Sequence, residues 1–226
     1  MNLLAIETST ALCSVALLKD GALFVEEAVA ENRHSELLLP MVRRVLERAH
    51  LDAVHMDAFA FGQGPGSFTG IRIACGVVQG LAFGARRPVV PVPSLLALAE
   101  QSNERRVIAA IDARMNEAYL AAYARNGEDW DEIVPPRLAD AESLPSLPGR
   151  QWAATGSGFE RLAWLRDAYR DSVQMRFGGD LPRAGAVARL AARRFARGGA
   201  VAAEDAAPLY LRDKVALTSE ERRARR

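Results

Sequence analysis

Residues 62–72, Gly-Gln-Gly-Pro-Gly-Ser-Phe-Thr-Gly-Ile-Arg, limit what this chain can fold into more than any other stretch. They follow the apolar run Phe59-Ala60-Phe61 and lead into a segment, residues 71–83, that reads as helix. Glycine loses more conformational freedom on folding than any other residue. Four glycines and a proline between a strand and a helix therefore imply unusual backbone angles or the close approach of another group. Helix N-termini also present unpaired N–H groups that suit phosphates and carboxylates. The loop is accordingly either an anion cradle or a closely packed contact surface. It is not a Walker A loop, since no Lys-Ser or Lys-Thr follows its last glycine. Nor does it keep the spacing of the dinucleotide-binding fingerprint.

The elements around the loop repeat. Residues 2–6 read as a buried strand that ends at Glu7. Residues 14–18 and 22–28 form two more strands, joined by the hairpin signal Asp20-Gly21. A helix follows over residues 35–49, then a strand at 58–61, the glycine loop and its helix. A strand at 89–92 and a short helix from Ser94, read as its cap, complete the first half. The second half restarts with a strand at 107–111 ending at Asp112. Strands at 117–123 and 130–134 flank the turn Asn126-Gly127. A strand at 152–155 and helices at 159–168 and 186–197 come after it. Glu7 lies 13 residues before its Asp-Gly turn, and Asp112 lies 14 before its Asn-Gly turn. This duplicated βββαβα plan predicts an α/β protein of two related lobes, residues 1–103 and 104–226. The polar segment 101–106 is the expected hinge between them.

Composition narrows the function. A formal net charge of +1 argues against a dedicated nucleic-acid binder. The basic run Arg222-Arg223-Ala224-Arg225-Arg226 is read as a solvated tail, with RNA contact second. Two cysteines without Cys-x-x-Cys spacing fit a reducing, cytoplasmic setting. No signal peptide is visible, and glycines and Arg72 interrupt the best candidate for a membrane span. His34, His50 and His55 do not share a helical spacing, so no helical histidine pair can hold a metal. His34 is expected to shape the start of the first helix, with Ser35 as its cap.

Four motifs carry a family resemblance along nearly the whole chain. They are Ile6-Glu7-Thr8-Ser9, the Gly-Pro-Gly-Ser-Phe-Thr-Gly-Ile-Arg loop, Ile111-Asp112-Ala113-Arg114 with Glu117 and Tyr119, and Pro208-Leu209-Tyr210-Leu211-Arg212. Together they resemble the bacterial TsaB (YeaZ) family. The resemblance implies two actin-like lobes of the Hsp70-like ATPase, ribonuclease H-like type. It implies a cytoplasmic, non-catalytic subunit in the synthesis of threonylcarbamoyladenosine (t6A) in tRNA. The implied partners are the catalytic paralogue TsaD and the ATPase TsaE. A homodimer is implied when TsaD is absent, tRNA is met through the complex, and no membrane is involved. No cofactor is required by the chain itself, although ATP or ADP shared at the partner interface is compatible with the resemblance.

The same resemblance places Glu7, Thr8 and Ser9 where actin-like ATPases carry a metal-handling aspartate. Glutamate is one methylene longer, which displaces a metal-bound water. A degenerate nucleotide site would then comprise Glu7, Thr8, Ser9, Gly64, Gly66, Ser67, Asp112, Gly156 and Gly158. The plainer reading makes Glu7 a cap for neighbouring backbone N–H groups. Gly76, Gly80 and Gly84 recur every four residues after the loop. Each costs about 1 kcal/mol in a helix relative to alanine, so something must approach that stripe closely. Tight internal packing and a subunit interface both explain it. The first helix has a broad apolar face, part of which is expected to be exposed. The expected interface is therefore Leu37, Leu38, Met41, Val42, Arg72, Gly76, Gly80 and Gly84. Two enzyme readings compete with the scaffold: an actin-like ATPase or phosphotransferase, and a peptidase. Ser67 is not in a Gly-x-Ser-x-Gly elbow, and no histidine is evidently placed as its base.

Overall fold

Leu3, Leu4, Ala5 and Ile6 are all fully buried, so the first strand has no solvent face and must be central. The computed structural model, which describes residues 1–177 and 180–212, places it so. Strand β1 (Asn2–Glu7) pairs antiparallel with β2 (Leu12–Lys19), which pairs with β3 (Ala22–Val29). The β2–β3 turn has positive φ at both Asp20 and Gly21, as a tight primed hairpin requires. On its other side β1 runs parallel to β4 (Ala58–Gly62), and β4 to β5 (Val89–Val92). The helices of this half are α1 (His34–Ala49), α2 (Phe68–Ala85) and α3 (Ser94–Ser102). The expected Ser35 cap is absent: Arg33 precedes α1, and His34 steadies its start through a 2.9 Å contact between Nε2 and the Thr10 carbonyl.

The second sheet repeats the arrangement. Its strands are β6 (Arg106–Asp112), β7 (Ala118–Asn126), β8 (Asp129–Ala139), β9 (Trp152–Thr155) and β10 (Val173–Phe177). The first sheet runs β3-β2-β1-β4-β5 and the second β8-β7-β6-β9-β10, each with three antiparallel and then two parallel strands. Identical strand order in both halves is the duplicated, actin-like plan. Three departures appear. Strand β10, which the sequence reading did not include, adds an edge to the second sheet, and the second half has only the irregular, Pro-containing segment 140–151 where the first has α1. The single helix expected at residues 159–168 is broken into α4 (Ser157–Arg161) and α5 (Ala163–Ala168) at Leu162, whose backbone is extended. That break lets Leu162 and Leu165 both enter the core of the second sheet.

Three apolar clusters form the layers. One lies between the first sheet and α1 and α2, one between the second sheet and α4 and α5. The third lies between the two sheets and holds α3 and α6 (Ala184–Ala196). There α3 packs on β6, β7 and β9, while α6 packs on β1, β2, β4 and β5. A cut between residues 103 and 104 thus divides the strands, and the last helix of each half rests on the other half's sheet. The basic run at residues 222–226 lies outside the described residues.

Candidate functional site

The carboxyl ends of β1 and β4 bring Glu7, Thr8 and Ser9 against the glycine loop. Glu7 is fully buried. Its Oε1 accepts a 2.6 Å bond from the Ser9 N–H, and its Oε2 accepts a 2.7 Å bond from the Ser94 hydroxyl. Burial pushes its pKa up, and hydrogen bonds from Ser9, Ser94 and Thr8 pull it partly back. Ser94 thus has a different role from the expected cap. It lies in the first turn of α3, its hydroxyl serves Glu7, and its oxygen also accepts from the Gly64 N–H at 3.3 Å.

The loop glycines are required by contact within the chain. A Cβ at Gly62 would lie 1.8 Å from Glu7 Oε2. At Gly66 it would lie 2.3 Å from the Ser9 carbonyl oxygen, and at Gly70 2.0 Å from that of Thr8. Direct bonds close the arrangement: the Thr8 hydroxyl donates to the Gly70 carbonyl at 2.8 Å and the Ser67 N–H to the Ser9 carbonyl at 2.7 Å. Ser67 precedes α2 and accepts from the Gly70 N–H at 3.3 Å. Only Gly64, with φ 98°, is demanded by its own backbone angle. Of the two roles open to this loop, close contact is the one these groups perform: residues 7–9 occupy its inner face.

The matching corner of the second half gathers Asp112, Gly156 and Gly158 at the ends of β6 and β9. A Cβ at Gly156 would lie 2.3 Å from the Ala110 carbonyl oxygen, and one at Gly158 2.8 Å from the Ala110 Cβ. Asp112 accepts from the Arg114 N–H at 2.8 Å and meets Arg161 at 3.3 Å, while Ser157 Oγ accepts from the Asp112 N–H. Arg114, Met115 and Asn116 are three consecutive non-glycine residues with positive φ. Between the two corners run residues 206–212, which leave a cleft of about 40 Å³ against Pro65, Gly66, Phe68 and Tyr119. Among the described residues no group of three or more His, Cys, Asp or Glu side chains is arranged to hold a metal.

The expected interface divides. Leu38, Met41 and Val42 are buried in the chain's own core, with Leu37 packed against its edge. These helix α1 residues do not form an exposed patch: the apolar face of α1 is consumed by β2, β3 and α2, and only Leu39 stands out, 54% exposed. Helix α2 behaves oppositely. None of the described residues lies within 4 Å of a Cβ placed at Gly76, Gly80 or Gly84, so packing among them does not account for that stripe. Phe83 beside it is 76% exposed. Although Arg72 interrupts it, α2 is long and apolar enough by length and composition to cross a membrane, and a third of it is buried inside the chain. Arg72 is exposed on α2 and lies 3.5 Å above the Phe68 ring. The sequence marked Ser94 only as a helix cap and did not mark Phe83; Gly62 and Gly70 were visible only as the rims of the loop.

A family model described as "TsaD: tRNA N6-adenosine threonylcarbamoyltransferase" matches residues 26–164, more than half of the chain. The Escherichia coli tRNA threonylcarbamoyladenosine biosynthesis protein TsaB is 38% identical over 227 residues, covering 96% of each chain. Its Haemophilus influenzae counterpart is 36% identical over 231 residues, covering 95% of each. The solved structure of YeaZ from Pseudomonas aeruginosa superposes with a TM-score of 0.83 at 38% identity, covering 93% of this chain and 99% of the other. A second structure from that organism, described as an uncharacterized protein with similarity to peptidase YEAZ, superposes at 0.86 with 39% identity.

Proposed function

The chain belongs to the TsaB family of tRNA threonylcarbamoyladenosine biosynthesis proteins, and from that premise we propose that it is a non-catalytic subunit of the cytoplasmic t6A machinery. It binds the catalytic paralogue TsaD and holds it in a competent state, with the ATPase TsaE joining the pair. One observation carries this reading: the outward stripe of α2, with Gly76, Gly80, Phe83 and Gly84, is apolar and left uncovered by the described residues. A helix with no side chains on one stripe allows a second helix to approach its backbone closely, and an exposed apolar face of this kind marks an association surface. Without TsaD the same face serves a homodimer.

The chain needs no nucleotide of its own in this reading. The Glu7 carboxylate is sealed under Gly62, and its oxygens are already bonded to Ser9 and Ser94. A metal ion could reach it only after the loop withdrew. ATP or ADP would be met at the shared interface with the partner, and tRNA through the assembled complex. The test is reconstitution with TsaD, TsaE, the threonylcarbamoyl-adenylate synthase and tRNA. Omitting this chain should abolish t6A formation. Unchanged t6A formation in its absence overturns the proposal.

A further inference from the structure

We propose that residues 206–212 are a clasp that joins the two lobes across the mouth of the cleft, with Arg212 as its latch. Four observations carry it. The segment has no regular secondary structure and is anchored by discrete polar contacts. On the first lobe, the Ala206 carbonyl accepts from Gln79 Nε2 at 3.0 Å, and the Leu209 N–H donates to the Gln63 carbonyl at 2.7 Å. Arg72 Nε donates to the Tyr210 hydroxyl at 2.7 Å while its guanidinium covers the Phe68 ring. On the second lobe, Arg212 makes the segment's polar contacts among the described residues: it donates to the Ala113 carbonyl at 2.9 Å, meets the Met115 sulfur at 3.2 Å and pairs with Glu117 at 2.6 Å.

Those last two partners bracket residues 114–116, the run of three positive-φ residues. Left-handed backbone at non-glycine residues persists only where the surroundings over-determine it. Within the turn itself the Ala113 N–H donates to the Glu117 carbonyl and the Glu117 N–H to the Arg114 carbonyl. Arg212 adds one charged nitrogen, Nη2, that serves the same two ends. Its side chain is 14% exposed, so the ion pair is screened far less than a surface one. At their other side the lobes share the apolar layer around α3 and α6. That layer is a pivot, and the clasp is the contact that limits opening at the cleft. Because Tyr210 leans on Arg72 of α2, the position of the association helix is mechanically linked to the second lobe's turn.

The clasp is read on the isolated chain, so its test is independent of the scaffold function. Spin labels on Glu36→Cys and Glu160→Cys, both exposed and on opposite lobes, report the interlobe distance by pulsed EPR. Hydrogen exchange reports the amides of Ala113 and Glu117. Arg212→Ala should add a longer-distance population and speed exchange at those two amides about tenfold, the effect of losing a charged hydrogen bond. Exchange in the buried strand β1 should stay unchanged. A folded Arg212→Ala protein with the wild-type distance distribution and wild-type exchange at residues 113–117 overturns the clasp. If that variant does not fold, Glu117→Gln, which keeps the side-chain shape and removes the ion pair, decides by the same two readouts.

Discussion

The glycines of residues 62–70 and those of residues 76–84 belong to one continuous stretch and answer opposite demands. At Gly62, Gly66 and Gly70 an added methyl group would strike Glu7, Ser9 or Thr8. Gly76, Gly80 and Gly84 face open space. The first set lets two backbone segments of the same chain touch, and so seals the Glu7 carboxyl group under the loop. The second set removes side chains from the one stripe of α2 that none of the described residues covers. The same residue type therefore serves a contact made within the chain at one place and leaves a helix stripe open at the other. Only the coordinates separate the two cases.

The comparison breaks first if the closed set tolerates substitution. Gly62→Ala should destabilise the chain by about 3 kcal/mol or more, since the new methyl group overlaps a buried carboxylate with no room to move. Denaturant unfolding measures it. Gly70→Ala should cost at least as much, because it meets the Thr8 backbone. A double-mutant cycle sharpens the assignment: Glu7→Ala should relieve much of the Gly62→Ala penalty and none of that of Gly70→Ala. Additivity at Gly62 and Glu7 would mean that the overlap is not the cause.

Ser94→Ala should have an intermediate effect, about 1–3 kcal/mol, because it deprives buried Glu7 Oε2 of its donor and the Gly64 N–H of its acceptor. A smaller effect is expected from titrating Glu7. Burial raises its folded pKa above the ordinary 4.5, so the neutral acid is the form that the fold favours. The resulting stabilisation is complete below the unfolded value and is lost as pH rises through the folded one. Glu7→Gln removes this titration. The stability of wild type relative to Glu7→Gln should therefore fall as pH rises above the ordinary 4.5, and level off only once Glu7 has ionised in the folded chain, in paired denaturant melts. A difference that stays flat over that range would mean that Glu7 ionises as freely inside the fold as outside it.

Much of the architecture was legible in the sequence because it rests on short-range patterns. Apolar runs, Asp20-Gly21, Asn126-Gly127 and the paired acids Glu7 and Asp112 repeat at matching spacings, and they mark the strands that form the two equivalent sheets. Strand β10 and the break at Leu162 were not legible, since each depends on what the second sheet's core can accept. The site was legible in its members and not in its state. Glu7 next to a glycine loop reads equally as an anion site or as a sealed corner, and the decision rests on a Ser94 hydroxyl that arrives from 87 residues away. The α1 face misled for a related reason. Its apolar width resembled an excess, yet β2, β3 and α2 together are wide enough to cover it.

Gly80 carries the smallest expected effect on stability and the largest on association. With open space at its Cβ, Gly80→Ala should leave the isolated chain as stable as before or more stable by up to about 1 kcal/mol, the helix-propensity difference. Gly80→Leu should likewise leave the melting curve of the monomer nearly unchanged. It should nevertheless abolish the homodimer in sedimentation and weaken binding to TsaD at least tenfold, because a leucine side chain holds the partner helix off the backbone of α2. The two readouts must separate. A Gly80→Leu protein that unfolds would place the stripe inside the chain. One that folds, dimerises and binds TsaD like wild type would leave the open glycines without a partner, and the contrast with Gly62 would lose its functional half.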